Sequence, residues 1–178
     1  DKAYFNPENS DELFFIKSTN LYSSNSAIPL IRNIITYNIS NSNIIWLSSD
    51  GFLYSTNLLE MTTVKVSMQN FPVKKNTSYE IILTGGSIFL TESESLFLLN
   101  RDTGIFENFY HTVKDMKASP NGQKILYCND HEIIYSFLNS NDTETILLNR
   151  FSKIIGDCYW LNEDYVVFSL GDKLMISE

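Results

Sequence analysis

The sequence predicts an all-β fold built from β-propeller blades, each a sheet of four antiparallel strands, and three observations carry that prediction. Apolar anchor runs recur at a near-constant period. Each is followed by a polar turn and a second apolar run. Asn, Ser and Gly crowd the intervals between runs, where turns use their side-chain hydrogen bonds and their tolerance of left-handed backbone angles.

The anchors are Leu13-Phe14-Phe15-Ile16, Ile44-Ile45-Trp46-Leu47, Ile88-Phe89-Leu90, Ile125-Leu126-Tyr127 and Val166-Val167-Phe168. Their mean spacing is near 40 residues, the length of a blade. Turn chemistry then marks hairpins: Ser49-Asp50-Gly51 leads into Phe52-Leu53-Tyr54, Asn129-Asp130-His131 into Ile133-Ile134-Tyr135, and Gly171-Asp172 into Leu174-Met175-Ile176. Residues 91–95 make the same link to Leu96-Phe97-Leu98-Leu99. An inner element precedes the anchors, seen best before Ser119-Pro120-Asn121-Gly122 and again at Phe5-Asn6-Pro7-Glu8-Asn9. Pro7 and Pro120 lie 113 residues apart, close to three periods of about 38. Residues 62–66 and 143–148 supply looser outer strands. The second and third strands are almost continuously apolar, as expected of strands covered on both faces by neighbouring blades.

Blades are expected at 1–34, 35–75, 76–112, 113–152 and, in part, 153–178. About four and a half blades do not close a ring, so an arc of a larger propeller is expected, with further blades outside the chain. One segment competes with this reading. Ile105, Phe109, Val113 and Met116 keep helical spacing, but the repeat register assigns residues 105–109 to an outer strand and 113–118 to an inner one.

At 178 residues with 43% hydrophobic and 19% charged side chains, the chain lies in the range of globular proteins with a packed core. Its formal net charge of -8, with no basic stripe, argues against nucleic acid as a partner. The longest apolar runs are about four residues, far short of a spanning helix. The first residue is Asp1, so any export leader or anchor is expected outside the chain.

The stretch from Ala118-Ser119-Pro120-Asn121-Gly122-Gln123 to Lys124-Ile125-Leu126-Tyr127 resembles the Ser-Pro-Asp-Gly loop and following strand of TolB-like repeats. Such repeats also occur in the propeller of dipeptidyl-peptidase-type enzymes. More narrowly, Leu148-Asn149-Arg150-Phe151-Ser152-Lys153-Ile154, Tyr159-Trp160, Val167-Phe168-Ser169, Pro7-Glu8-Asn9 and Leu13-Phe14-Phe15-Ile16 resemble the propeller region of bacterial PEGA-domain proteins. In that family a membrane-spanning helix and a small β-sandwich precede the propeller. The resemblance implies an envelope-anchored, outward-facing protein without known catalysis, and brings no functional residues with it.

Residues that could carry chemistry are few. His111 and His131 sit in different expected loops without Cys or carboxylate at zinc-ligand spacing. Glu92 and Glu94 alternate with Ser93 and Ser95, so an extended backbone would put both carboxylates on one side, where they could bind a cation or form an acid/base pair; a solvated hairpin turn explains them equally. Gly85-Gly86-Ser87 lacks the spacing of a nucleophile elbow and the Lys of a phosphate loop, and reads as a blade turn. Asp50-Gly51 and Asn141-Asp142 lack the ligand pattern of a calcium loop. Cys128 and Cys158 lie in apolar strand-like runs and read as buried free thiols acting as small hydrophobes, with a disulfide as the alternative. Trp46, Trp160 and Phe89 read as inter-blade packing, and the acceptor triplets at Asn38, Asn76 and Asn141 as ordinary turn asparagines.

No catalytic, cofactor or metal residue is therefore assigned, and no cofactor is expected. The favoured function is a non-catalytic binding or scaffold module that presents a propeller face to a protein, peptide or envelope glycan. The alternative is the gating propeller of a prolyl-oligopeptidase-like serine peptidase whose catalytic domain lies outside the chain.

Overall fold

The computed structural model describes residues 3–138 and 144–178 and contains no helix among them. Five sheets follow one another along the chain, and in each the strands are ordered as they occur in sequence. The first holds β1 (Ala3–Asn6), β2 (Asn9–Lys17), β3 (Asn20–Ser23) and β4 (Ile31–Arg32); the second holds β5 (Ile34–Ser40), β6 (Asn43–Ser48), β7 (Leu53–Asn57) and β8 (Thr63–Lys65). The third comprises β9 (Tyr79–Thr84), β10 (Ser87–Glu92), β11 (Ser95–Leu99) and β12 (Phe106–Tyr110). The fourth comprises β13 (Asp115–Ala118), β14 (Lys124–Cys128), β15 (Glu132–Phe137) and β16 (Thr145–Arg150), and the fifth only β17 (Ile155–Trp160), β18 (Val166–Leu170) and β19 (Lys173–Ser177). The segment with competing helical spacing forms β12 and β13, so tertiary pairing overrides the local period.

The turns follow from their residues. Gly85 and Gly86 both take positive φ, at 55° and 72°, the pair of angles a two-residue hairpin between β9 and β10 requires. Asparagine side chains brace the longer turns: Asn57 Oδ1 accepts the backbone N–H groups of Leu59 and Glu60, and Asn129 Oδ1 those of His131 and Glu132. Asn162 repeats the device with Asp164 and Tyr165. In the Ser119-Pro120-Asn121-Gly122 loop, Ser119 Oγ accepts the Lys124 N–H at 2.9 Å and Asn121 Oδ1 that of Gln123 at 2.9 Å. The abundance of Asn is thus spent on closing turns. The Asn141-Asp142 turn and the Asn141 triplet lie outside the described residues.

Packing divides the chain into two compact units. One comprises the described residues through Leu83 with Ile88–Ser93 and Phe97–Phe109; the other comprises Thr84–Ser87, Glu94–Leu96 and the described part of Tyr110–Glu178. In the first unit, Phe14 and Leu21 of the first sheet bury against Ile34, Tyr37, Ile44 and Trp46 of the second. The opposite face of the second sheet, with Leu47 and Leu53, packs on Ile81, Leu90 and Leu99 of the third. Phe71, from the connection between those two sheets, closes this layer with edge contacts to Tyr79, Phe97 and Phe106. In the second unit, Leu126, Cys128 and Ile133 pack on Ile155, Cys158, Val166 and Phe168. Each fully buried Leu, Ile or Phe contributes on the order of 1.5–3 kcal/mol from apolar area removed from water.

Buried polar groups are paired by a device used twice. The Trp46 indole N–H donates to Thr56 Oγ1 at 3.0 Å, which bonds Thr63 Oγ1 at 2.9 Å. Tyr127 OH, Ser136 Oγ and Thr145 Oγ1 form the same second-to-third-to-fourth-strand relay at 3.1 and 2.8 Å. The relay satisfies an aromatic donor or hydroxyl that burial would otherwise leave at a cost of about 1–3 kcal/mol.

The two cysteines depart from the sequence reading. Cys128 at the end of β14 and Cys158 in β17 are joined in a disulfide between adjacent sheets of the second unit. Local pattern places each thiol on a buried strand face, but the facing of one sheet against the next is a tertiary property, so free thiols were the expectation and a covalent bridge is the finding.

Candidate binding site

The first unit contains a cleft of about 370 Å³ lined by residues of three consecutive sheets. Ile16 comes from the end of β2; Ile35, Thr36 and Tyr37 from the start of β5; Ser78, Tyr79 and Glu80 from the start of β9; and Thr91 and Ser93 from the β10 hairpin. Three consecutive residues of β5 reach the same cleft because its pairing with β6 shifts register between Ile34 and Thr36. Such an irregularity bends the strand and re-aims side chains.

The wall is held rigidly. Tyr37 OH donates to the Phe14 carbonyl at 2.5 Å, and burial pushes its phenol well above the ordinary range. The Ser93 N–H donates to the Ser78 carbonyl at 3.1 Å and fastens the β10 hairpin to the entry of β9. Tyr79 OH donates to Glu92 at 2.8 Å and accepts the Lys74 N–H at 2.8 Å. Lys74 Nζ completes this group with an ion pair to Glu92 at 2.8 Å. Burial first, and then the Glu92 carboxylate, raise the Tyr79 phenol, while the hydrogen bond to Glu92 raises the Lys74 ammonium. The lining therefore combines the hydroxyl-bearing residues Thr36, Ser78, Thr91 and Ser93 with Tyr37, Tyr79, Glu80 and two isoleucines, and holds no Lys, Arg or His among the lining residues.

Of the two readings of Glu92 and Glu94, the structure shows the hairpin turn. Ser93 has a positive φ of 53° and forms a turn with Glu94, which breaks the extended alternation that would align the two carboxylates. Glu92 instead serves as the acceptor that holds Tyr79 and Lys74, and Glu94 is exposed on the turn. His111 and His131 are both exposed in loops, and among the described residues no three His, Cys, Asp or Glu side chains are grouped to hold a metal ion. Asn38 spends its amide on the Ile81 carbonyl at 2.8 Å. The cleft itself was not anticipated. Its polar residues sit at strand entries, where sequence reads them as turn flanks, and only the stacking of three sheets brings them together.

Five successive meander sheets of three or four antiparallel strands define the chain as a β-propeller protein. Solved structures share the fold. The WD40 domain of SCAP from fission yeast superposes with a TM-score of 0.64 at 10% identity, covering 98% of this chain and 48% of that one. The N-terminal domain of Nup159 of S. cerevisiae gives 0.58 at 11% identity, with coverages of 91% and 50%. The extracellular domain of a B. thetaiotaomicron two component system protein gives 0.58 at 11% identity, with coverages of 94% and 24%. The chain thus spans about half the length of two of these proteins and about a quarter of the third. No protein-family model and no curated protein matches the chain.

Proposed function

We propose that the chain is a non-catalytic binding module of an extracytoplasmic, envelope-anchored bacterial protein, and that the cleft of the first unit receives a basic side chain of a peptide or protein partner. The observation that carries this reading is the lining of the cleft. Thr36, Ser78, Thr91 and Ser93 share the lining with Ile16 and Ile35, a setting in which the methylenes of Lys or Arg meet apolar wall while the cationic head meets oxygen acceptors. The net charge of -8 adds long-range attraction for such a partner. Inter-sheet cross-linking by Cys128 and Cys158 supports an oxidising compartment, because disulfides persist mainly outside the cytosol. The residues most open to a catalytic reading support a structural one, since Glu92 is engaged by Lys74 and Tyr79.

The test is selection of peptides from a random library on the intact chain, followed by titration of the enriched sequences against Thr91→Trp. Enrichment of Lys or Arg at one position, with binding lost in a variant of unchanged thermal stability, is the expected result. Enrichment of acidic or purely apolar peptides, or binding indifferent to a filled cleft, overturns the assignment.

A further inference from the structure

Strand β17 is fastened to the fourth sheet at both of its ends, with the Cys128–Cys158 bridge between the two fastenings. At its start the Ile155 N–H donates to the Asp130 carbonyl at 2.8 Å. Lys114 Nζ donates to the Ile155 carbonyl at 3.4 Å and pairs with the Asp130 carboxylate at 3.0 Å. Both side chains of that ion pair are about half exposed, and water screens such pairs to little net worth.

The far end is held differently. Lys124 Nζ, from β14, donates to the Glu163 carbonyl at 2.6 Å, in the turn that follows β17, with the Asp164 carboxylate at 3.9 Å. The same ammonium lies 5.9, 5.6 and 5.7 Å from the ring centroids of Tyr135, Phe137 and Trp160. The Trp160 indole N–H donates to the Lys117 carbonyl of β13 at 3.1 Å. Only 18% of the Lys124 side chain is exposed, and a cation beside aromatic faces gains most where water is excluded. The Trp160 end of β17 is therefore the stronger fastening, and Cys158 stands close by on the same strand.

The bridge itself is shut away. Cys128 and Cys158 are 2% and 1% exposed and pack with Leu126, Ile133, Val166 and Phe168. Reduction requires a thiolate to reach one of the two sulfurs, which the closed packing forbids. Within its sheet β17 is laddered to β18, and that pairing shifts register between Ile155 and Cys158. A strand with an interrupted ladder opens locally at lower cost than the whole unit unfolds.

We propose that the bridge is a gated redox site, reduced only when the Trp160 end of β17 lifts from the fourth sheet, and that Lys124 sets how often this happens. The co-reactant is a dithiol. One of its thiolates attacks a bridge sulfur, the S–S bond breaks, and the other cysteine leaves as a thiolate. The second thiolate of the dithiol then closes on its own sulfur in the mixed disulfide and expels the remaining cysteine. The dithiol ends as a disulfide, and its two electrons and two protons pass to the cysteines. The inference is independent of the cleft and of its ligand.

The rate at which excess dithiothreitol reduces the folded chain, read by alkylation and mass spectrometry, tests the gate. Lys124→Met keeps the stem and removes the charge, and should speed reduction roughly tenfold. Lys114→Met should change the rate by less than about threefold. In the wild type, urea below the unfolding transition should barely alter the rate, because local opening exposes little surface; reduction through global unfolding would climb with the full denaturation slope. A Lys124→Met rate within about threefold of wild type, a larger effect from Lys114→Met than from Lys124→Met, or a wild-type rate that climbs with the full slope would overturn the proposal. The urea series needs no variant, so it decides the question should Lys124→Met not fold.

Discussion

Reducing the Cys128–Cys158 bridge is the most informative single perturbation of the fold, because it changes no side-chain identity. The bridge closes a loop with a sequence separation of 30. Loop-closure entropy for about 30 residues comes to roughly 12 cal/mol/K, or about 3.6 kcal/mol at 25 °C. Spread over the unfolding entropy of the 178-residue chain, at about 2.1 cal/mol/K per residue, that loss lowers Tm by ~10 °C. The assay is differential scanning calorimetry of oxidised and reduced protein, with mass spectrometry confirming the gain of two hydrogens (about 2 Da). Cys128→Ala/Cys158→Ala should fall at least as far, since it also removes buried sulfur packing. A fully reduced protein melting within about 2 °C of the oxidised form would refute the entropic argument, and free thiols in protein prepared without reductant would refute the bridge itself.

Other perturbations test other layers. Phe89 is fully buried and contacts Phe109 edge-on, so Phe89→Ala should cost about 3–5 kcal/mol in urea denaturation, and a loss under about 1 kcal/mol would remove it from the core. Gly51 and Gly171 both have positive φ, but a Cβ at Gly51 would stand 2.0 Å from the Phe71 carbonyl oxygen whereas one at Gly171 meets nothing within 4 Å. Gly171→Ala should therefore cost only backbone strain of about 1 kcal/mol and Gly51→Ala clearly more, and equal losses would contradict the contact. The Glu132 carboxyl is held below its usual range first by the Asn129 amide and then by Arg150. Because its folded pKa is depressed, the stabilisation is present above the ordinary carboxylate range and is lost as pH falls through the folded value. The Tm gap between wild type and Glu132→Gln should accordingly shrink on acidification below about pH 4.5, and a gap that widens there would reverse the sign.

The fold class was legible because its signals are local: apolar runs such as Ile44-Ile45-Trp46-Leu47, hairpin turns such as Gly85-Gly86, and a period that repeats them. Where sequence reasoning failed, the deciding contact lies between sheets. Nothing near Cys128 or Cys158 encodes that their two sheets face each other in register. Phe71 belongs to no strand, yet it is 5% exposed because it packs on the layer between the second and third sheets. The hairpin turn at Ser93-Glu94 was legible, but the engagement of Glu92 by Tyr79 and Lys74, which reach it from outside the hairpin, was not. The cleft was illegible for the same reason, since Thr36, Ser78 and Thr91 each belong to an ordinary strand end.

The strict sequential order of strands in every sheet has a kinetic consequence. No strand waits for a hydrogen-bonding partner beyond the adjacent hairpin, so the backbone pairing of the first sheet needs nothing from the chain after Arg32. Low contact order within sheets lets pairing begin as segments leave the ribosome, and stacking can then propagate in the direction of synthesis. The thiols are made late in that order, so oxidation locks a pair of layers that assembly has already placed side by side.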